Sequence, residues 1–280
     1  MSWRLQINHV TGFTYAGTAH ASYNEARMTP MTTPTQIILN SVVEVTPVTA
    51  SSWRYIDYWG SQVTVFDLQL RHEELKVTAS SLVETAEPAV LTPVGWDVLH
   101  APYTRDRFAE LLTPTPRTTV DETLRTHAAQ IAAGHPPREA ARAIAGWVRE
   151  HVAYVPGSTG VQTSAQEAWD LRKGVCQDIA QLTAALLRCV GIPARYVSGY
   201  LHPRLDATIG ETVQGQSHAW VEWWCGGWEG YDPTNGVPTG VRHVIVARGR
   251  EYGDVPPLKG VYNGAPSTHL GVTVEVTRLG

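Results

Sequence analysis

From Val175 to Val190 the residues Ile179, Leu182, Thr183, Leu186, Leu187 and Val190 recur at steps of three and four, and Gly191-Ile192-Pro193 follows at once. That is the period of a helix with one face turned to a core, stopped by a glycine and a proline that cannot continue the ladder. The chain on either side has a different pattern. Upstream, "WRLQINHVTGFTY", "TQIILNSVVEVTP", "SWRYIDYWGSQVTVFDLQL" and "EELKVTASSLVET" are rich in β-branched and aromatic residues with partial alternation. Downstream, "ARYVSGYL", "HAWVEWW", "GWEGYDP", "RHVIVARG" and "HLGVTVEVTR" are strand-like again. Strands that follow one another without intervening helices pair antiparallel, so an α+β fold is expected. Residues 1–86 form its N-terminal antiparallel β module, sandwich-like or barrel-like, with a hairpin turn at Tyr58–Gln62.

Pro88, Pro93, Pro102, Pro114 and Pro116 punctuate the segment 87–115, where an irregular connection without helix is expected. Residues 116–280 then read as a second domain with helices first and an antiparallel sheet afterwards. Val120–Ala133 opens on the acidic Asp121 and Glu122, and Pro137–His151 places proline in a first helical turn. "AYVPGSTGVQ" reads as a loop.

Two domains suit a chain of 280 residues. Lys plus Arg number 22 against 26 Asp plus Glu, a net charge of −4 with no dense basic run, which argues against nucleic acid or an anionic membrane as partner. "MSWRLQINHVTGFTYAG" lacks a basic stretch followed by an apolar one, and no apolar run is long enough to span a bilayer, so a cytoplasmic location is expected. The oligomeric state is left open, a homo-oligomer included. Three cysteines, Cys176, Cys189 and Cys225, suggest reduced thiols rather than a disulfide framework. On one helix Cys176 and Cys189 would stand roughly 20 Å apart, beyond disulfide reach.

Cys176, in "RKGVCQDIAQL", admits three readings. Spacing alone favours a buried sulfur, since it extends the apolar stripe three residues before Ile179. Metal binding has little support, because the chain has neither C-x-x-C nor H-E-x-x-H and the sulfurs lie in separate segments; no metal is expected. Catalysis is favoured by the position at a helix start, where free N–H groups and the dipole stabilise a thiolate, with Arg172 and Lys173 adding positive potential. A nucleophile also needs a base and a group that orients the base. His218 in "QSHAWVEWW" begins a strand and Asp232 in "GYDPTNG" ends the next. With the "CGG" turn centred on Gly226, position 218 falls opposite 234, and Asp232 lies on the neighbouring row.

Taken together, "GVCQDIAQLTAALLRCVGIPARYVSGY", "SHAWVEWW" and "GWEGYDPTNG" resemble the core of the bacterial transglutaminase-like superfamily, whose papain-like arrangement packs a cysteine-bearing helix against an antiparallel sheet. "YIDYWGSQVTVFDLQLRHEELKVTASSLVE" resembles the N-terminal β domain often attached to that core, and "VARGREYGDVPPLKGVYNG" its tail. The resemblance implies Cys176 as nucleophile, His218 as general base and acid, Asp232 as the orienter of His218, no cofactor, and a peptide or protein amide as partner. It departs at Gln181 and Ile179, where relatives commonly carry histidine and phenylalanine. It further implies acyl transfer through a thioester, with hydrolysis of a peptide or isopeptide bond favoured over transamidation of a protein glutamine. A binding protein with a vestigial triad is the reading from another class. A second oxyanion donor is sought among Tyr154, Gln162 and Trp169, with Tyr154 preferred. Gln162, Trp169 and Arg250 are also substrate-binding candidates, and Arg248 and Asp254 stand beside Arg250 for a charged part of the substrate or for a solvated ion pair. Asp178 reads as a structural residue of the first helical turn.

Overall fold

The computed structural model of the chain describes residues 1–49, 51–215 and 217–280, with Leu270 described by its backbone alone. The first part gives β1 (Ser2–Thr29), β2 (Gln36–Thr46), β3 (Ser51–Ile56), β4 (Gln62–Leu68) and β5 (His72–Ala86), joined without helices. The turn at Tyr58–Gln62 sits between β3 and β4, which pair antiparallel, and Gly60 takes φ +84° in it. The start of β1 shows the strand period plainly: Trp3, Leu5, Ile7, His9 and Thr11 are buried, while the residues between them are exposed or half-buried.

The proline-rich connection is not free of helix. It holds α1 (Trp96–His100), α2 (Pro102–Arg107) and α3 (Ala109–Leu112). The prolines bound these short turns instead of forbidding them, and Pro102 sits in the first turn of α2, where a missing N–H costs nothing. Next come α4 (Glu122–Ala132), capped by Asp121 accepting from the Leu124 N–H at 2.8 Å, and α5 (Pro137–His151), which buries Ala140, Ala141, Ile144, Ala145 and Val148. Two short strands, β6 (Ala153–Tyr154) and β7 (Lys173–Gly174), flank α6 (Ala165–Leu171) and pair in parallel. They lead into α7 (Cys176–Cys189), in which every residue from Gln177 to Arg188 is buried. A helix buried all round is a central one, and α7 packs on α4, α5 and α6 as well as on the sheet that follows.

That sheet consists of β8 (Ala194–Leu201), β10 (His218–Trp224), β11 (Trp228–Asp232), β12 (Val237–Pro238) and β13 (His243–Gly249), all antiparallel in the order β12-β11-β10-β8-β13. Buried Arg188 ties the end of α7 to it, donating to the carbonyls of Ala194 at 2.9 Å and Arg250 at 2.6 Å. The remaining strands, β9 (Thr212–Gly215), β14 (Leu258–Gly264) and β15 (Ser267–Arg278), belong to the other sheet. In β1, residues 5–15 pair with β15 and residues 19–26 with β14, so strands from both ends of the chain are woven together. The strands expected at the C-terminal end of the 116–280 core thus join the sheet of the N-terminal strands, β14 and β15 through β1 and β9 through β15. One hydrophobic cluster runs from Trp3, Leu5 and Ile7 through α7 to Val274 and Val276, joining the two sheets around the helix, while Phe66, Leu68, Leu75 and Val77 form a separate core inside the larger sheet.

Candidate active site

Val175 is extended and stands just before α7, which makes Cys176 the first helical residue. Asp178 holds this entry: its Oδ2 accepts from the Val175 N–H at 2.8 Å and from the Thr159 hydroxyl at 2.5 Å. Burial raises the Asp178 carboxyl against the pull of those bonds. Gly174 allows the close approach, since a Cβ there would stand 2.7 Å from the Asp178 Cβ. Cys176 is half-buried, and all three cysteines are free thiols.

His218 begins β10 opposite Gly199 of β8. The β10–β11 hairpin turns at Gly226, where φ is +101°, and its register pairs Trp224 with Trp228 and Val221 with Tyr231. Continued by one step, that register sets Asp232 opposite Trp220 and diagonal to His218 on the same face. The His218 Nε2 lies 2.7 Å from the Asp232 Oδ2. Cys176 lies close enough to the His218 side chain to act on its protonation, and with Nε2 engaged by Asp232, Nδ1 is the nitrogen left for the sulfur. Burial alone would lower the His218 pKa; the bond to Asp232 and the nearby Cys176 overcome it and raise it to about 10. The imidazolium is thus the resting form beside the sulfur.

Asp232 is fully buried. Its Oδ1 accepts from the backbone N–H groups of Thr234 at 3.0 Å and Asn235 at 3.1 Å, and its Oδ2 from the Asn235 side chain at 2.7 Å. Burial opposes its charge, yet the bonds from His218, His243 and Asn235 hold the carboxyl well below the usual range. His243, at the start of β13, is the residue that sequence reasoning missed. Its Nε2 is 3.4 Å from the Asp232 Oδ2, and the Gly240 N–H points at its Nδ1 at 3.3 Å. An Nδ1 that accepts leaves the ring proton on Nε2, so His243 is a neutral donor to Asp232. Burial keeps it neutral by lowering its pKa. The available signal was a buried-side polar residue opening the otherwise apolar run "HVIVA".

Cys176 and His218 face a cavity of about 570 Å³, whose walls also include Tyr154, Tyr196, Gln214 and Tyr252. Tyr154 is 53 % exposed, and burial of its ring together with the nearby Cys176 raises its pKa. The other candidates lie elsewhere: among the described residues, Gln162, Trp169 and Arg250 do not line this cavity. Gln162 accepts from Arg117 on the surface, Trp169 stacks on Trp147 with ring centres 4.8 Å apart, and Arg250 pairs with Asp254 at 3.1 Å. Arg248 is drawn to buried Glu222 at 2.9 Å. Gln181 is fully buried, donating to the Thr163 carbonyl at 2.9 Å and accepting from the Tyr252 N–H at 3.4 Å, a pair of roles that an amide side chain fills by itself. No group of His, Cys, Asp and Glu among the described residues is arranged to hold a metal ion. A cysteine sulfur beside an imidazole that a carboxylate holds, at a helix start and on a cavity, is the arrangement a nucleophile needs to attack a carbonyl.

Residues 125–233 match the transglutaminase-like superfamily, and residues 5–84 match the bacterial transglutaminase-like N-terminal region. An uncharacterized protein of Mycobacterium leprae is 49 % identical over 279 residues, covering 99 % of both chains. A protein-glutamine gamma-glutamyltransferase of Pseudomonas aeruginosa is 31 % identical over 166 residues, 55 % of this chain and 24 % of that one. Among solved structures, a Cytophaga hutchinsonii protein provisionally described as a cysteine protease superposes with a TM-score of 0.79 at 22 % identity, over 100 % of this chain and 92 % of that one. On the two matched segments, the full-length relative and the shared α+β architecture, the chain belongs to the transglutaminase-like superfamily.

Proposed function

We propose that the protein is a cysteine-dependent acyl-transfer enzyme that hydrolyses a peptide or isopeptide amide through a thioester on Cys176. The observation that carries this reading is His218 bound to fully buried Asp232 on the wall of the cavity that Cys176 also lines. The Cys176 thiolate attacks the amide carbonyl carbon, and the tetrahedral oxyanion is met by the Cys176 backbone N–H and the Tyr154 hydroxyl. The C–N bond breaks as His218 gives its proton to the departing amine. Neutral His218 then takes a proton from water, the hydroxide attacks the thioester, and the acid leaves with thiolate and imidazolium restored. Asp232 keeps Nδ1 directed at the sulfur throughout. A cytoplasmic location, in keeping with three free thiols, belongs to the same proposal, and cell fractionation tests it.

The name of the Pseudomonas aeruginosa relative favours a second reading, in which an amine takes the place of water. The two share every step up to the thioester. The test is to incubate wild type and Cys176→Ala with peptide amides and glutamine-containing protein, with and without a labelled primary amine, and to follow the products by mass spectrometry. Free acid formed only by wild type supports hydrolysis. Incorporated amine moves the reading to transamidation. Neither product, with Cys176 alkylated no faster than Cys189 or Cys225, leaves a binding protein.

A further inference from the structure

The inward face of β1 changes character partway along. Trp3, Leu5 and Ile7 are packed into the shared hydrophobic cluster, and the next two inward positions, His9 and Thr11, are polar and line the cavity that holds Cys176. A strand that only packed would have no reason to turn polar there, because burying a ring nitrogen without a partner costs about 1–3 kcal/mol. His9 is 1 % exposed, and its Nδ1 lies 2.9 Å from the Tyr200 hydroxyl. Tyr200 has one proton, which it gives to the Met28 carbonyl at 3.3 Å, so its oxygen accepts from His9 Nδ1–H. Nε2 is therefore an acceptor, nothing among the described residues bonds it, and it lies just beneath the cavity wall with almost no surface of its own exposed. Burial and the neighbouring His269 hold the ring neutral, with a pKa lowered to about 4. Beside it on β15, Val274 pairs with His9 and Val276 with Ile7, and Val272, Val274 and Val276 give the same wall an apolar surface.

We infer that the larger sheet supplies an acyl-binding subsite to Cys176, in which His9 Nε2, uncovered by a small shift of the wall on binding, accepts a hydrogen bond from a backbone N–H of a peptide-like substrate whose apolar side chain lies against Val272, Val274 and Val276. The substrate class is a short peptide-like amide with an apolar residue and a neutral N–H near the scissile carbonyl. The inference rests on the proposal that Cys176 is an acyl acceptor, but the subsite can be read separately.

The probes are a dipeptidyl chloromethyl ketone, which transfers its methylene carbon to the Cys176 sulfur with loss of chloride, and the same ketone N-methylated at the backbone amide nearest the reactive end. Rates on the full chain are divided by the iodoacetamide rate and normalised to a free thiol in solution. Wild type is expected to prefer the N–H ketone over the N-methyl one by about tenfold, the worth of one hydrogen bond to a buried acceptor. In His9→Asn the amide sits where Nδ1 was, keeping the Tyr200 contact and deleting Nε2, and the preference is expected to vanish. In His9→Gln an amide oxygen reaches the Nε2 position, and most of it is expected to return. Thermal melting checks that both variants fold; where one does not, the N-methyl comparison on wild type decides alone. Equal rates for the two ketones on wild type, or a preference unchanged in His9→Asn, overturns the subsite. Slow iodoacetamide labelling of wild-type Cys176 overturns the enzyme reading instead, because the ratio of the two ketones does not depend on how reactive the thiol is.

Discussion

The cavity has two walls built in opposite ways. One carries Cys176, His218 and Asp232 on a helix and a hairpin that lie within 60 residues of one another in sequence, and each is placed by contacts a few residues away: the Asp178 cap, the Gly226 turn, the Asn235 loop. The other wall is made by pairing the first strand of the chain with the last, His9 against Val274. Reactivity is thus assembled from local structure, and the surface facing it from the most distant pairing available. Separating these contributions experimentally asks whether each wall can be damaged without the other.

The largest effect belongs to the reactive wall. Cys176→Ala removes the sulfur proposed to carry the acyl group, and activity on any accepted amide is expected to fall by about 10⁴-fold or more, with the melting temperature unchanged within a few degrees. Residual turnover close to wild type in a discontinuous product assay would move the nucleophile elsewhere.

Asp232→Asn comes next. In the wild type the His218 pKa is raised to about 10, so the stabilising contribution of its imidazolium is complete below its ordinary value of about 6.5 and is lost as pH climbs through about 10. Asp232 is depressed, so its contribution is present above the ordinary value of about 4 and is lost as pH falls below it. Activity needing both charges is expected to persist into the alkaline range. In Asp232→Asn the carboxylate charge is gone, and the alkaline limb of kcat/KM should move down by about 1–3 pH units while the rate drops by about 10²–10⁴-fold. An unmoved limb would mean that His218 does not owe its proton to Asp232.

The adjacency of His218 and Asp232, the register between them and the helix that begins at Cys176 were legible in the sequence because the signals are short in range. A turn centred on Gly226 fixes which residues face each other, and Pro137, Gly191 and Pro193 mark helix ends regardless of what packs nearby. The pairing of β15 with β1 was not legible. "HLGVTVEVTR" is visibly a strand, but alternation names the face that is buried and not the partner strand, which here lies more than 250 residues away. His243 stayed hidden for a related reason, since its partner is reached only by crossing from β13 around to the far end of β11. The short helices α1–α3 escape the sequence because prolines 93, 102 and 114 argue against any helix or central strand there, whereas they serve as the borders of brief turns.

His243 sharpens the comparison, because it bonds Asp232 yet does not itself line the cavity. As a neutral donor it positions Asp232, which keeps its other donors when His243 is lost. His243→Ala is expected to lower kcat by about tenfold with KM little changed, and to shift the alkaline limb by less than Asp232→Asn does. His243→Gln should recover most of the loss, since its amide N–H can reach Asp232. A KM effect as large as the kcat effect would mark a merely structural role.

The smallest expected effect tests the far wall. Val276 is buried beside Ile7 where β15 meets β1, and Val276→Ala removes two methylene-sized groups from that seam, at about 0.8 kcal/mol each. The melting temperature should fall by a few degrees. If the walls are assembled independently, the pH profile of Cys176 alkylation by iodoacetamide stays where it is in the wild type, because among the described residues the hydrogen bonds to Asp232 come from the smaller sheet and its loops. A displaced profile would mean that the pairing of the chain's two ends reaches the thiol itself, and that the local hairpin and helix cap do not set its reactivity alone.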